Sequence, residues 1–294
     1  MPSKTMTKSN IGYRGVGADG KPVEWYYAWN PGGFGCSANC DGCWARAMSR
    51  RLDTKGCPKC LAFEPHFHAE RLDQPSATKK PGVVLVNFTG DLFDPGQLHN
   101  NIFEVFRRII DCNRNHKYVL LTRQYRRMFE EIASFFQREQ ATLHEKCYFG
   151  TTCTSQDNYD SVSKFLSGTG VNWWVSAEPL ASPITPNQYD NPRGIVVGTH
   201  NQRKHDCGLP AIRETVKAFR DAGVPVYLKQ TWAVRCVCTR TYAYIKDFAS
   251  PVRCCCGTPA SQFRTILATD PPDFPYDLRY RELPWTLATK AVKP

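Results

Sequence analysis

The sequence predicts an α/β fold in which repeated βα units build a parallel sheet of the partial (β/α)6-barrel type, followed by a cysteine-containing C-terminal extension. Three observations predict it. Short β-branched or aromatic runs alternate with longer amphipathic stretches. The connections between them are short, which demands parallel strands with right-handed crossovers. After Trp232 the alternation stops and closely spaced cysteines take over. The expected organisation is a polar N-terminal segment over 1–22, the βα body over 23–232 and the extension over 233–294.

Val23 to Trp29 reads as the entering strand, with a cysteine loop behind it and a helix beginning at Ala45 and reaching Leu52. Val83 to Phe88 is the second strand, ending in Thr89-Gly90-Asp91, and Leu98 to Ile110 its helix. Lys117 to Leu121 is the third, with a helix over Arg126 to Arg138. Lys146 to Thr151 and Trp173 to Ala177 are the fourth and fifth, separated by a helix over Asp160 to Leu166; Trp173 and Trp174 then belong to the core. Gly194 to Gly198 is the sixth, Pro210 to Ala222 its helix and Pro225 to Lys229 the last strand. In such sheets functional groups gather at the carboxyl ends of the strands, which is where the cysteine loop falls.

At 294 residues, 41% hydrophobic and 12% aromatic, the chain buries a sizeable core and is not disordered. Its apolar runs fall well short of the roughly 20 residues that span a bilayer. The polar N-terminus lacks the apolar stretch of a secretory signal, so the expected location is a cytoplasm, with thiols reduced. Fourteen cysteines in tight groups then point to metal rather than disulfides. The formal charge of +11 suits a polyanionic partner, DNA, RNA or a nucleotide, or simply a solvated basic surface.

The densest chemistry is Gly35-Cys36-Ser37-Ala38-Asn39-Cys40-Asp41-Gly42-Cys43-Trp44. Three thiolates within eight residues can converge on one soft metal centre. A structural zinc site closes with a fourth protein ligand, whereas a 4Fe-4S cluster held by three cysteines leaves one iron open to a substrate or cofactor. A zinc knuckle is the competing reading.

The C-x3-C-x2-C spacing, with Trp44 behind it, resembles the radical S-adenosylmethionine (SAM) enzymes. Further segments are similar to one phage- and prophage-associated family of these enzymes: Trp29-Asn30-Pro31, His68-Ala69-Glu70-Arg71-Leu72, Gly90-Asp91-Leu92-Phe93, Leu121-Thr122-Arg123, Ser176-Ala177-Glu178-Pro179-Leu180 and Lys229-Gln230. The match runs from about Trp25 to Trp232. It departs at Gly198-Thr199-His200, where the family tends to Gly-Gly-Glu, and in the cysteines after Cys43. The resemblance implies a radical SAM barrel, a 4Fe-4S cluster on Cys36, Cys40 and Cys43, and SAM contacted by Gly90, Asp91, Thr152, Ser176 and Glu178. Arg123, Lys229 and Gln230 are the implied substrate contacts, and a flavodoxin or ferredoxin the implied reductant. For Asp91 the alternative is a helix N-cap.

The same resemblance implies modification of a nucleic-acid base. Its most specific form is isomerisation of N-glycyl-thymidine to Cα-glycyl-thymidine in phage DNA that evades host restriction. Other radical SAM base modification, thymine photoproduct repair, and a non-catalytic zinc-stabilised DNA-binding protein are the alternatives. Cys57, Cys60, Cys236, Cys238, Cys254 and Cys256 form pairs suited to structural zinc or a second cluster. The partners of Cys57 and Cys60 are either the C-terminal thiols or His66 and His68. Cys112, Cys147, Cys153 and Cys207 read as buried small hydrophobes.

Overall fold

The computed structural model describes residues 4–9, 26–51, 57–141, 143, 145–189, 192–200, 207–236, 238, 241–243, 256 and 264–268. Val23 to Trp25, Cys254 and most of the expected extension lie outside them. The chain forms two compact units, the first made of the described residues up to Thr152 together with Gly168–Trp174, the second of Cys153–Ser167 and the described residues from Val175 onward.

In the first unit, β2 (Tyr26–Trp29), β3 (Val83–Val86), β4 (Lys117–Thr122) and β5 (Cys147–Thr152) pair in parallel and in sequence order. A two-residue strand the periodicity did not reveal, β1 (Thr7–Lys8), runs antiparallel on the outer edge of β2. It brings Met6 to 5% exposure, so part of the polar N-terminal segment packs. Every residue of Val83–Val86 is buried, which explains its unbroken apolar run. The strand stops two residues before the expected Phe88 because Asn87 turns to φ 56.

The helices of this unit are α1 (Trp44–Arg51), α2 (Pro58–Ala62), α3 (Gln74–Ala77), α4 (His99–Asp111) and α5 (Tyr125–Glu139), with a 3-10 turn at Ala69–Arg71. Ile102, Val105, Phe106 and Ile109 repeat at helical spacing and are all fully buried. Phe106 meets Phe135 of α5 edge-on at 5.3 Å and Phe149 of β5 at 6.5 Å. α5 ends where Gln140 adopts φ 52 and donates its N–H to the Phe136 carbonyl.

β6 (Trp173–Ala177) begins in the first unit and ends in the second. There Val175–Ala177 pairs in parallel with β7 (Ile195–Gly198), and β7 with β8 (Val226–Arg235). The last strand is twice the expected length. Beyond Gln230 it carries two antiparallel partners, β9 (Thr241–Ala243) and β10 (Arg264–Ala268), so the described part of the extension is sheet. The helices here are α6 (Gln156–Leu166) and α7 (Gly208–Asp221). α6 starts four residues before the expected Asp160, because its first turn is polar: the Gln156 side chain bonds Asp160 and Thr185. Among the described residues no helix is long and apolar enough to cross a membrane.

All seven expected strands are present, and their parallel registers within each unit bear out the α/β reading. Trp173 and Trp174 are buried at 3% and 0% exposure, as expected of core. A tight fit inside the core is at Gly150 of β5, where a β-carbon would lie 2.3 Å from Trp174 Cε2. That indole is fully buried and cannot retreat. Gly150→Ala should therefore destabilise the fold by about 1–3 kcal/mol, read as a lower urea midpoint, whereas an exposed helical control such as Glu130→Ala should leave the midpoint nearly unchanged.

Candidate functional site

The cysteine loop leaves the carboxyl end of β2 and curls through left-handed backbone at Gly33, Asn39 and Gly42. Cys36, Cys40 and Cys43 are all half-buried free thiols. Ala38 N–H points at Cys36 Sγ (3.4 Å), and Cys43 stands at the start of α1, its carbonyl accepting from Ala47 N–H. Burial, with Asp91 and Asp94 adding negative charge nearby, pushes the Cys36 thiol up to about 12.

The four segments of the family resemblance that lie in the first unit come together around this loop. Trp29 is fully buried and its indole N–H donates to the Arg71 carbonyl (2.8 Å), while the Arg71 guanidinium donates to the Asn30 carbonyl (3.0 Å). His68 N–H bonds the Pro31 carbonyl, and the Thr89 hydroxyl the Gly33 carbonyl. Gly90 bridges Gly35 in parallel; a β-carbon on it would sit 2.5 Å from the Gly35 carbonyl oxygen. Gly90 thus gives the cysteine loop its seat.

Two carboxylates complete the clamp. Asp94 is fully buried and its Oδ2 accepts from both Ser37 N–H (2.6 Å) and Ser37 Oγ–H (2.7 Å), inside the cysteine motif. Its Oδ1 takes Gly96 N–H, and the guanidinium of Arg127 on α5 bonds its carbonyl. Asp91 accepts from the Thr122 hydroxyl (2.8 Å) and from the N–H groups of Phe93 (2.9 Å) and Arg123 (3.3 Å). It is not a helix N-cap, because α4 begins only at His99, and its oxygens already have partners within the chain. Burial pushes its carboxyl up to about 6 against the pull of those hydrogen bonds, with Asp94 adding to the rise. Arg123 has its backbone in this network and its side chain exposed.

In the second unit Ser176 and Glu178 at the end of β6 gather with Lys229 and Gln230 in the middle of β8, where its parallel pairing with β7 stops. Lys229 Nζ pairs with Glu178 Oε1 at 2.9 Å, Ser176 Oγ lies 3.5 Å from Glu178 Oε2, and Gln230 Nε2 donates to the Thr199 carbonyl (2.9 Å). A one-residue bulge produces this: Val197 pairs with Leu228 but Gly198 with Gln230, leaving Lys229 extra. Thr152 is half-buried at the end of β5. Beside it, the Thr151 hydroxyl is buried without a hydrogen-bond partner in the protein, as are the Asn87 amide just after β3 and, in the second unit, the Thr199 hydroxyl just after β7. Buried polar groups are normally satisfied, so these strand ends are chemically prepared to meet polar atoms from outside the chain.

Among the described residues, two groups bring metal-binding atoms within 4.8 Å of one another: Cys57, Cys60, His66 and His68, and Cys236, Cys238 and Cys256. Cys36, Cys40 and Cys43 are not such a group. Cys60 is within contact of both His66 and His68, which decides its neighbours in favour of the two histidines. Cys236 Sγ and Cys256 Sγ are 3.5 Å apart; Cys254 lies outside the described residues. Cys112, Cys147 and Cys153 are buried as expected, whereas Cys207 is only half-buried because it sits at the mouth of α7. Asp94 and Ser37 were not legible in the sequence. The sole signal for Asp94 is a second acidic residue three positions after Asp91, which no spacing rule separates from an ordinary turn.

A mixed α/β chain with a three-cysteine loop clamped at the end of its first parallel strand defines the class. The chain belongs to the family described as protein of unknown function (DUF5131), whose model matches residues 21–244. Among solved structures it is similar to a spore photoproduct lyase mutant with dinucleoside spore photoproduct, at 11% identity and a TM-score of 0.44, covering 84% of this chain and 72% of that one. A second lyase mutant, with bound AdoMet and dinucleoside spore photoproduct, gives 12%, 0.40, 81% and 72%. No curated protein matches.

Asp94→Ala removes a buried acceptor of three hydrogen bonds and should cost about 2–4 kcal/mol, with faster proteolysis inside 33–43. Asp91 predicts a pH effect. Its folded value of about 6 lies above the roughly 3.9 of an unfolded aspartate, so the folded state holds the proton more tightly. That stabilisation is complete below about pH 4 and lost as pH rises through about 6. Denaturation of the parent and Asp91→Asn across this window should show the parent losing stability relative to the variant; parallel profiles would remove the assignment.

Proposed function

We propose that this chain is a radical SAM enzyme that modifies a nucleic-acid base, with Cys36, Cys40 and Cys43 holding a 4Fe-4S cluster at the mouth of a partial (β/α)6-type barrel. The observation that carries the reading is the cysteine loop: three half-buried thiols at the carboxyl end of β2, held through Ser37 by Asp94 and through Gly35 by Gly90. A cluster takes each thiolate at a different iron and does not require the close-packed sulfurs of a mononuclear zinc site. The orphaned polar groups of Asn87 and Thr151 fit a ligand whose polar atoms reach the strand ends.

The chemistry this group supplies when bound with SAM is hydrogen abstraction by a 5′-deoxyadenosyl radical. The chain's own residues position it. In the first unit Asp94 and Thr89 fix the loop, and Asn87 and Thr151 offer hydrogen bonds; the second unit carries its own polar cluster, the Lys229–Glu178 pair with Ser176 and Gln230. Trp44, 41% exposed directly after Cys43, and the exposed Arg50 and Arg51 of α1 supply an aromatic face and cations for nucleic acid, in keeping with the net charge of +11.

The specific substrate we assign, from the resemblance, is N-glycyl-thymidine in DNA, isomerised to Cα-glycyl-thymidine. One C–N bond is exchanged for a C–C bond, and the hydrogen lost from the α-carbon ends on nitrogen. No net oxidation occurs. A flavodoxin- or ferredoxin-type protein is the expected electron source, and the cytoplasm the expected location.

Anaerobic reconstitution with iron and sulfide should give a brown protein absorbing near roughly 400 nm that forms 5′-deoxyadenosine from SAM. Replacing any of Cys36, Cys40 or Cys43 by Ala should abolish both. Chromatography of nucleosides from treated DNA should show a retention shift at unchanged mass; release of two thymidines from a photoproduct would instead mean repair. A colourless, zinc-only protein overturns the enzyme reading.

A further inference from the structure

Beside the cysteine loop, Cys57, Cys60, His66 and His68 turn four side chains to one point. Cys57 Sγ is 3.4 Å from His66 Nε2, Cys60 Sγ is 3.1 Å from His66 Nε2 and 3.3 Å from His68 Nε2, and the two Nε2 atoms are 2.9 Å apart. The outward ring nitrogens decide what the inward ones carry. His66 Nδ1 lies 2.7 Å from the Glu64 carbonyl oxygen and His68 Nδ1 lies 2.8 Å from Glu70 Oε1. Both partners only accept, so each Nδ1 bears the proton and each neutral ring turns a lone pair inward. Two inward ring nitrogens 2.9 Å apart with two sulfurs against them are the donor set of a single soft cation.

We infer that these four residues bind a mononuclear zinc ion, and that this zinc braces the cysteine loop. Zinc arms of roughly 2.3 Å to sulfur and 2.0–2.1 Å to nitrogen give tetrahedral edges of roughly 3.3–3.8 Å, a little longer than the contacts seen. A polynuclear cluster spreads its ligands over several irons and does not fit so tight a set. Four protein ligands leave no open position, so the ion is structural. Glu70 and the Glu64 carbonyl are the outer partners that orient metal-bound histidines. The local chain is built for it: Cys57 caps α2, its sulfur accepting from Cys60 N–H (3.5 Å), and Phe63 at φ 59 turns the chain back toward the histidines.

The brace reaches the cysteine loop at three points. Phe34 N–H donates to the Cys60 sulfur. A β-carbon on Gly33 would lie 2.6 Å from His66 Nε2, and one on Gly35 2.2 Å from the Glu64 carbonyl oxygen. Gln97, from the loop that carries Asp94, donates to the His66 carbonyl at 2.8 Å. Zinc therefore fixes the segment that leads into Cys36. The zinc site stands on this geometry alone, whereas its consequence for iron rests on the function proposed above.

The test is elemental analysis of the 294-residue chain with Cys236, Cys238 and Cys256 changed to Ser, which removes the other described thiol group from the count. One zinc per chain is expected. It should persist when Cys36, Cys40 and Cys43 are changed to Ala, and vanish in His66→Ala. His68→Cys, which keeps a ligand, should retain it. Cobalt(II) in place of zinc should give the ligand-field bands of a tetrahedral ion with thiolate charge transfer. Zinc content unchanged by His66→Ala, or iron in its place, overturns the site even if the variant folds poorly, because the parent and His68→Cys are read independently. On reconstitution, zinc-free His66→Ala should take up several-fold less iron than the parent; equal uptake overturns the brace. If the parent takes no iron, the function falls while the zinc result stands.

Discussion

The structure around the candidate site depends on one buried carboxylate. Asp94 reaches from the loop after β3 to the backbone and hydroxyl of Ser37, and a carboxylate taken out of water must be satisfied or it destabilises the fold. Here the cysteine motif itself satisfies it. The loop needs a carboxylate to hold its shape, and the carboxylate needs the loop to be buried. Because its carbonyl is bonded by Arg127, the same residue ties the loop to α5.

Around that bond the motif segments acquire physical roles. Trp29, Asn30 and Arg71 lock the exit of β2; Gly90 admits Gly35 by lacking a β-carbon; Asp91 draws the end of β4 inward through Thr122. These residues hold the cysteine loop in place. Polar atoms with no protein partner, on Asn87 and Thr151, stand at neighbouring strand ends, where a ligand would find them. The second unit follows another logic, with a bulge at Lys229 placing an ammonium against Glu178 and a side-chain amide against Thr199.

Much of this was legible in the sequence. The seven expected strands were readable because buried β-branched runs such as Val83–Val86 leave a local pattern, and the long helices because Ile102, Phe106 and Ile109 repeat every three or four residues. The cysteine loop was readable from spacing alone. What was not readable had no local period: β1 at the polar N-terminus, the antiparallel strands on β8, and the polar first turn of α6. Nor does any local period announce that Asp91 meets Thr122, a partner 31 residues away.

By itself, then, the sequence determined the element order, the α/β class and the thiols available for metal, since all of these are written in residue type and short spacing. Only the tertiary structure decided how those thiols are grouped and held. Cys57 and Cys60 meet His66 and His68, while Asp94 meets Ser37 across 57 residues. Spacing along a chain constrains neighbours within a turn or two. The partners of a buried charge or a metal-binding sulfur are chosen by which strand ends and loops the packed core brings side by side.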